Sequence, residues 1–240
     1  MPRPRKRARR CCQDNQTIED AGLTRTDVMT LKEGSSASIV HLIGCDLDGA
    51  DLAGLDLSGW QFERCSLRRA VLKEARLEYT QWRSCRAPFA SLVGADFTDA
   101  SFLSCDFNNA NFRGACLTSA RVFGCKLTGA DFTDARTIDL HFEEALLAGA
   151  TMPALSFRQQ HLRRLDFSQA DLSKADFREA VFEECSLRDA ILSGARFERA
   201  DLRGADLGGL RLADVATFRG ATISRDQAAQ LMAELGLILG

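Results

Sequence analysis

Residues with the side chains needed for acid–base or metal chemistry are few and far apart in this chain of 240 residues. There are three histidines, at positions 41, 141 and 161, and a single tyrosine. This inventory is too small for most general acid–base sites. The sequence shows no nucleophile–base pair, no phosphate-binding glycine loop and no metal-ligand spacing. We therefore expect neither an enzyme nor a cofactor, a metal ion or a small-molecule substrate.

Six of the nine cysteines are spaced by multiples of twenty residues, namely Cys45, Cys65, Cys85, Cys105, Cys125 and Cys185. A metal site would need ligands that converge from several directions, and a reducing compartment disfavours disulfides. We interpret these thiols as small buried hydrophobic groups in one column. Cys116 and the pair Cys11–Cys12 lie outside that column.

The charges nearly balance over the chain, with 31 basic and 33 acidic residues, but they are unevenly placed. Residues 1–10 hold six basic residues and no acid, which leaves 25 basic and 33 acidic residues in the rest. Such an arm is either a solvated extension or a direct contact to DNA, and both interpretations are open. No apolar run is long enough for a membrane span or a secretory signal, so we expect a cytoplasmic protein with no membrane partner.

A repeat of five residues dominates the chain. Every fifth position from Leu42 to Leu212 gives 35 residues, of which 18 are Leu and 12 are Phe. The position two residues earlier, from Cys45 to Leu210, holds 20 Ala and six Cys among 34 residues. This period fits neither a helix, which needs about 3.6 residues, nor a strand, which needs two. It predicts an all-β solenoid in which each five-residue side points one large and one small residue inward.

The cysteine spacing indicates that one coil has four such sides. About eight to nine coils, stacked about 4.8 Å apart, would then build a rod. The pattern weakens at residues 137–165, where Thr137 occupies a central position and Pro153 removes a backbone donor. The small position is filled there by larger residues, namely Leu140, Leu155, Gln160 and Leu165. This segment is either a tolerated irregularity or a shaped recognition surface.

A short α-helix is expected to close the C-terminal end of the solenoid, because an open end would expose the core. Ser224 and Gln227 match a capping box, which predicts a helix over about residues 225–235. One face of this helix and the tail after it are apolar, and exposing them to solvent would be costly. We therefore expect a homodimer interface formed by Leu231, Met232, Leu235, Leu237, Ile238 and Leu239.

These patterns divide the chain into three parts. They are a basic, partly disordered N-terminal arm at 1–36, the repeat solenoid at 37–222, and the C-terminal capping and dimerisation segment at 223–240. Within the first part, Val28, Met29 and Leu31 are candidates to cover the first coil.

The repeats resemble the A(D/N)LXX pattern of the pentapeptide-repeat family, as in Ala50-Asp51-Leu52, Ala95-Asp96-Phe97, Ala110-Asn111-Phe112, Ala130-Asp131-Phe132, Ala175-Asp176-Phe177 and Ala205-Asp206-Leu207. The resemblance covers about 175 residues and implies a right-handed quadrilateral β-helix. Residues 221–240 are similar to the closing helix and tail of the Qnr-type, mycobacterial fluoroquinolone-resistance and albicidin-resistance branch. That branch implies a cytoplasmic homodimer that mimics duplex DNA, binds DNA gyrase and in some members topoisomerase IV, and protects the enzyme from poisons. The uninterrupted register and the basic arm depart from the members of that branch that carry projecting loops.

A DNA mimic needs a negative outer surface that complements a basic DNA-binding groove. The candidate partner-binding residues are Asp46, Asp48, Asp51, Asp56, Asp96, Asp99, Asp106, Asp131 and Asp134. Residues 41–220 hold 26 acids against 22 bases, so the negative field is diluted. An Asp before a central residue also suits a tight turn, which is the second interpretation of each aspartate.

The leading hypothesis is therefore a dimeric rod that binds type II topoisomerase and relieves its poisoning, giving antibiotic resistance or self-immunity. The alternative is a structural or scaffold repeat protein with an unrelated protein partner.

Overall fold

The computed structural model describes residues 16–33, 39–209, 216–234 and 236. The basic arm at 1–10, the pair Cys11–Cys12 and four of the expected interface residues lie outside the described residues. Those four are Leu235, Leu237, Ile238 and Leu239.

The chain winds into a parallel β-solenoid of about nine turns, which confirms the expected fold class. Strands β1 to β9 form one parallel sheet in sequence order, and β10 pairs with β11. Beyond β1, strand partners lie twenty residues apart, so that Phe62 is opposite Trp82 and Trp82 is opposite Phe102. The elements are β1 (Gln16–Glu19), α1 (Arg25–Glu33), β2 (Val40–Ile43), β3 (Gln61–Glu63), β4 (Gln81–Arg83), β5 (Ser101–Leu103), β6 (Arg121–Phe123), β7 (His141–Glu143), β8 (His161–Arg163), β9 (Val181–Glu183), β10 (Cys185–Ser186), β11 (Ala205–Asp206) and α2 (Arg225–Glu234).

In most coils the other three sides are held by single parallel bridges that also join residues twenty apart, such as Asp51↔Val71 and Asp56↔Arg76. We number the sides in chain order. Face 1 carries the strands β2 to β9, and faces 2, 3 and 4 follow it in each coil. In the coil of residues 61–80, these three faces are centred on Leu67, Leu72 and Leu77. A coil therefore has four sides, as the cysteine spacing predicts.

Large side chains fill the centre of the rod in columns along its axis. The rings of Phe112 and Phe132 stack with their centroids 4.9 Å apart, and those of Phe157 and Phe177 do the same at the same distance. These distances match the spacing of neighbouring parallel strands, about 4.8 Å. A planar ring can therefore repeat at the same place in successive coils without leaving a void.

The corner after each side places a residue in the left-handed region, with a φ of +58° at Asp99 and +56° at Ser119. This conformation costs a residue with a Cβ roughly 1–2 kcal/mol. The amide of Asp99 then donates to the carbonyl of Thr118 at 3.0 Å. The tight corner is thus tied to the neighbouring coil by a backbone hydrogen bond.

The N-terminal end of the solenoid is covered by residues 16–33. Strand β1 pairs with β2, and α1 buries Val28, which is 1% exposed, while Leu31 is half-buried against the core. The expectation that Met29 also covers the coil is wrong, because its side chain is 42% exposed on the outer face of α1. Thr24 and Asp27 cap this helix through reciprocal backbone hydrogen bonds of 2.8 and 3.4 Å.

The C-terminal end is closed by α2, which begins at the expected capping box. The amide of Ser224 donates to Gln227 Oε1 at 2.6 Å, and the amide of Gln227 donates to Ser224 Oγ at 3.1 Å. The Gln227 side-chain amide also donates to the carbonyls of Leu202 and Ala205. One residue therefore caps the helix and satisfies carbonyls of the last coil.

The irregular segment at 137–165 keeps the twenty-residue period but interrupts the pairing on face 4. The pairs Cys116↔Arg136 and Ser156↔Asp176 are formed, whereas Arg136 and Ser156 do not pair. On face 1, the register between β7 and β8 is reduced to Glu143↔Arg163, so that His141 and His161 are not paired.

We expect Phe177→Ala to lower the free energy of unfolding by about 3–5 kcal/mol. Phe177 is 0% exposed, and its ring stacks on both Phe157 and Phe197. The matched control is Phe89→Ala, because Phe89 is 57% exposed. This substitution should lower the free energy of unfolding by less than about 1 kcal/mol. Urea unfolding followed by circular dichroism measures both. Equal losses for the two variants would contradict the packing described above.

Candidate functional site

The nine candidate aspartates do not lie on one continuous surface. Three faces carry three each: Asp46, Asp48 and Asp106 on face 2, Asp51, Asp131 and Asp134 on face 3, and Asp56, Asp96 and Asp99 on face 4. Because the corners of the rod separate these faces, a flat partner surface could meet only some of them at a time.

Most of these carboxylates also shape the turn in which they lie. Asp51 Oδ1 accepts a hydrogen bond from the amide of Ala53 at 3.0 Å, and Asp131 Oδ1 accepts one from the amide of Thr133 at 2.9 Å. Asp96 accepts from both the amide and the hydroxyl of Thr98, at 2.9 and 2.6 Å. The same turn bond is made by Asp46, Asp56 and Asp106. The preference for Asp before a central residue thus has a structural cause.

Three candidates make no such turn bond. Asp48 Oδ1 instead accepts hydrogen bonds from the hydroxyl of Ser66 at 2.6 Å and from the amide of Arg68, in the next coil, at 2.8 Å. The carboxylates of Asp99 and Asp134 are exposed and have no ion pair or hydrogen bond to any residue that the structure describes. Asp134 lies at the corner between faces 3 and 4, and Asp99 lies at the corner between faces 4 and 1. Face 4 is therefore flanked by two free negative charges in the middle of the rod.

Asp139 belongs to the same region, although it is absent from the nine candidates. It occupies the same corner column as Asp99, two coils further along, with a φ of +53° and an exposed side chain. Its position forty residues after Asp99 is the signal that could have identified it. We call Asp96, Asp99, Asp134 and Asp139 the mid-rod acidic surface. Within its coils, Arg136 is the basic residue on face 4.

Arginines neutralise many acids elsewhere on the rod. A hydrogen bond from Arg178 lowers the pKa of Asp176, and a hydrogen bond from Arg203 lowers the pKa of Asp201. Arg163 lies between Glu143 and Glu183, at 3.2 and 3.3 Å. The negative field of the C-terminal half is therefore weaker than its acid count indicates.

The cysteine column is buried, as the sequence predicts. Cys45, Cys65, Cys85, Cys105 and Cys125 are at most 1% exposed, and none of the described cysteines is in a disulfide. Cys85 Sγ donates to the carbonyl of Phe62 at 3.2 Å. At Cys105, a hydrogen bond with Cys125 lowers the pKa, but the hydrogen bond with Cys85 and burial raise it more, to about 12.

The histidines do not assemble a reactive site. His161 Nε2 lies 3.0 Å from Glu183, and His41 Nε2 lies 3.5 Å from Glu63, both on face 1. Across the described ranges, no three His, Cys, Asp or Glu side chains converge in a way that could hold a metal ion. No helix in those ranges combines the length and the apolar character needed to cross a membrane.

The C-terminal helix leaves part of its apolar side accessible. Leu231 is half-buried and packs against the core, while Met232 is half-buried without belonging to the residues packed there. Of the six expected interface residues, these two lie within the described part of the chain.

Comparison with known proteins agrees with this architecture. The sequence model of pentapeptide repeats matches eight copies, over residues 45–78, 90–129, 141–178, 155–189 and 180–215. A sequence search of curated proteins found no significant match. A trypsin-treated form of QnrB1, a plasmid-mediated fluoroquinolone resistance protein, is 19% identical with a TM-score of 0.51, covering 94% of this chain and 98% of that one. HetL, involved in heterocyst differentiation regulation in the cyanobacterium Nostoc sp. strain PCC 7120, is 19% identical with a TM-score of 0.48, covering 79% of this chain and all of HetL.

We expect the five stacked thiols to resist alkylation by iodoacetamide at pH 8 while the protein is folded. At a pKa of about 12, the thiolate fraction of Cys105 would be about one in ten thousand, and burial also blocks access. Mass spectrometry of peptides before and after denaturation measures the modification. Column peptides that react equally fast in the folded and unfolded protein would contradict this arrangement.

Proposed function

Because the chain belongs to the pentapeptide-repeat family, we propose that it acts by binding a protein partner rather than by catalysis. The proposed partner is DNA gyrase, with topoisomerase IV as the second candidate, in the cytoplasm. Binding would protect the enzyme from topoisomerase poisons and so give antibiotic resistance or self-immunity. The observation that carries this proposal is the mid-rod acidic surface on a rod of regular register.

The acidic surface supports DNA mimicry through its geometry. A solenoid fixes its outer side chains at multiples of the coil spacing, about 4.8 Å, as a duplex fixes its phosphates. Asp99 and Asp139 lie two coils apart in one column, and Asp134 lies at the opposite corner of face 4. A basic DNA-binding groove would be attracted to such fixed charges, which accelerate and orient the encounter.

The likeness to QnrB1 supports the solenoid fold of this chain, but it does not identify the partner. QnrB1 is a fluoroquinolone resistance protein, but at 19% identity the similarity extends to the solenoid alone. The choice of gyrase therefore rests on the resemblance of the repeats and the C-terminal segment to the gyrase-protecting branch, together with the acidic surface.

We expect the protein to restore supercoiling by gyrase in the presence of a fluoroquinolone and to reduce trapped DNA breaks. The double variant Asp99→Lys/Asp134→Lys should need at least about tenfold more protein for the same protection, because charge reversal opposes the basic groove. A lysine can adopt the left-handed backbone conformation of both positions, since Lys174 has a φ of +62° at an equivalent corner.

The matched control is Glu184→Lys/Asp189→Lys, which changes the net charge equally at exposed corners away from face 4. It should protect as the unmodified protein does. An equal loss of protection in both double variants would mean that the effect depends on net charge and not on the mid-rod acidic surface. No protection by the unmodified protein, with gyrase or topoisomerase IV, would leave the scaffold alternative.

We further propose that the protein is a homodimer joined through α2 and the tail after it. The half-buried Met232 supports this interface, because an apolar side chain on a terminal helix gains stability when a second copy covers it.

Met232→Glu should convert the dimer to a monomer, since a carboxylate would be buried without a partner. Met29→Glu is the matched control, because Met29 is 42% exposed on the helix at the other end of the rod. Light scattering after size-exclusion chromatography gives the mass of each variant. A Met232→Glu protein that remains dimeric would remove α2 from the interface.

A further inference from the structure

Face 4 is open between two coils in the middle of the rod. Elsewhere on this face, each coil donates to the next, as Leu117 N does to Arg136 O at 2.7 Å and Phe157 N does to Asp176 O at 2.8 Å. At the intervening step, the amides of Thr137, Asp139 and Ser156 have no hydrogen bond to any described residue. We call residues 134–141 on one coil and 154–161 on the next the face-4 opening.

Oversized residues occupy the small inward position beside the opening. Leu155 lies where Ala135 and Ala175 lie in the coils before and after it, and Leu140 lies where Ala120 lies in the coil before it. Both leucines are buried, at 4% and 3% exposure, so the core must accommodate their extra volume at this step. The central position, by contrast, holds a residue that is too small for its column. Thr137 is half-buried and smaller than the Leu and Phe residues at the same place in other coils.

A side chain compensates for only part of the lost pairing. Gln160 Nε2 donates to the carbonyl of Leu140 at 3.1 Å, in place of the backbone amide of His161. The carbonyls of Ala135, Ser156 and Arg158 accept no hydrogen bond from the described residues. Each edge of the opening therefore presents both unpaired donors and unpaired acceptors.

The opening also displays the most exposed large hydrophobic residue of the described chain. Ile138 is 68% exposed, and it lies between Thr137 and Asp139 on one edge. An exposed isoleucine beside free backbone groups is costly for a monomer in water but suits a contact with another protein.

We infer that the face-4 opening binds an extended peptide segment of the protein partner. The segment would hydrogen-bond to the unpaired amides of Thr137 and Asp139 and place an apolar side chain on Ile138. This inference rests on the proposed function, in that the segment belongs to the topoisomerase. It adds a second contact that selects the partner, whereas charge mainly attracts it.

A peptide fits this site better than a nucleic acid does. An extended peptide offers both donors and acceptors, and the opening has unpaired groups of both kinds. A phosphate backbone offers acceptors alone, and the carboxylates of Asp134 and Asp139 beside the opening would repel it. The opening and the mid-rod acidic surface share face 4, so one partner can reach both.

The test is the affinity of the full-length chain for purified gyrase, measured by biolayer interferometry without DNA. Ile138→Arg should weaken binding at least about tenfold, because it removes an apolar anchor. The matched control is Ile191→Arg, since Ile191 is 53% exposed on face 3, and it should bind within about twofold of the unmodified chain. Circular dichroism checks that both variants are folded.

Hydrogen exchange gives a second measurement that an effect on charge alone would not produce. The amides of Thr137, Asp139 and Ser156 should exchange quickly in the free protein and slowly in the gyrase complex. The quadruple variant Thr137→Leu/Leu140→Ala/Leu155→Ala/Gln160→Ala restores the repeat pattern beside the opening. It should protect these amides in the free protein and weaken gyrase binding.

The outcomes separate the two proposals. If the unmodified chain binds gyrase while Ile138→Arg binds equally well and the amides stay unprotected, the inference is overturned and the proposed function stands. If the unmodified chain does not bind gyrase, both are overturned. Loss of binding in Ile138→Arg alone, with protection of the amides of Thr137, Asp139 and Ser156 in the complex, establishes the site.

Discussion

The rod depends on one constraint, which is that each inward side chain must fit between its counterparts in the coils before and after it. The backbone bonds between coils fix this spacing, and the stacked rings of Phe157, Phe177 and Phe197 show that planar groups satisfy it. The small inward position satisfies it with Ala or with the buried cysteines. The two ends of the rod meet the same constraint, since Val28 and Leu231 pack against core side chains that would otherwise be exposed to solvent.

The same constraint determines what the acidic residues can do. An Asp before a central residue closes its own turn, as Asp51 and Asp131 do, so its charge is a by-product of a structural requirement. An Asp at a corner has no such bond and projects from the edge of the rod. Asp99, Asp134 and Asp139 are of this second kind. The charges most available to a partner are therefore those that the repeat pattern does not require.

The irregular coils show the effect of breaking the constraint. Leu155 at a small position and Thr137 at a central one both depart from the repeat, and the backbone pairing fails there over a few residues on face 4. The pairing resumes at Glu143↔Arg163 on face 1, so the loss of backbone pairing is confined to a few residues. A solenoid tolerates such a fault because each coil contacts only its neighbours. The proposed peptide contact uses the backbone groups that this fault leaves free.

The five-residue side, the four-sided coil, the buried cysteine column and the capping box at Ser224 follow from the sequence alone, because each depends on spacing along the chain. Which aspartates are paired with a base depends on the folded chain, since Arg25 lies 3.6 Å from Asp51 and Arg113 lies 3.5 Å from Asp131. The tertiary structure also decided that α1 lies within the first coil, with Met29 exposed. The loss of backbone pairing between Arg136 and Ser156 could not be predicted from the five-residue period of the sequence. Whether a bulky residue is accommodated or separates two coils depends on side chains that lie twenty residues away.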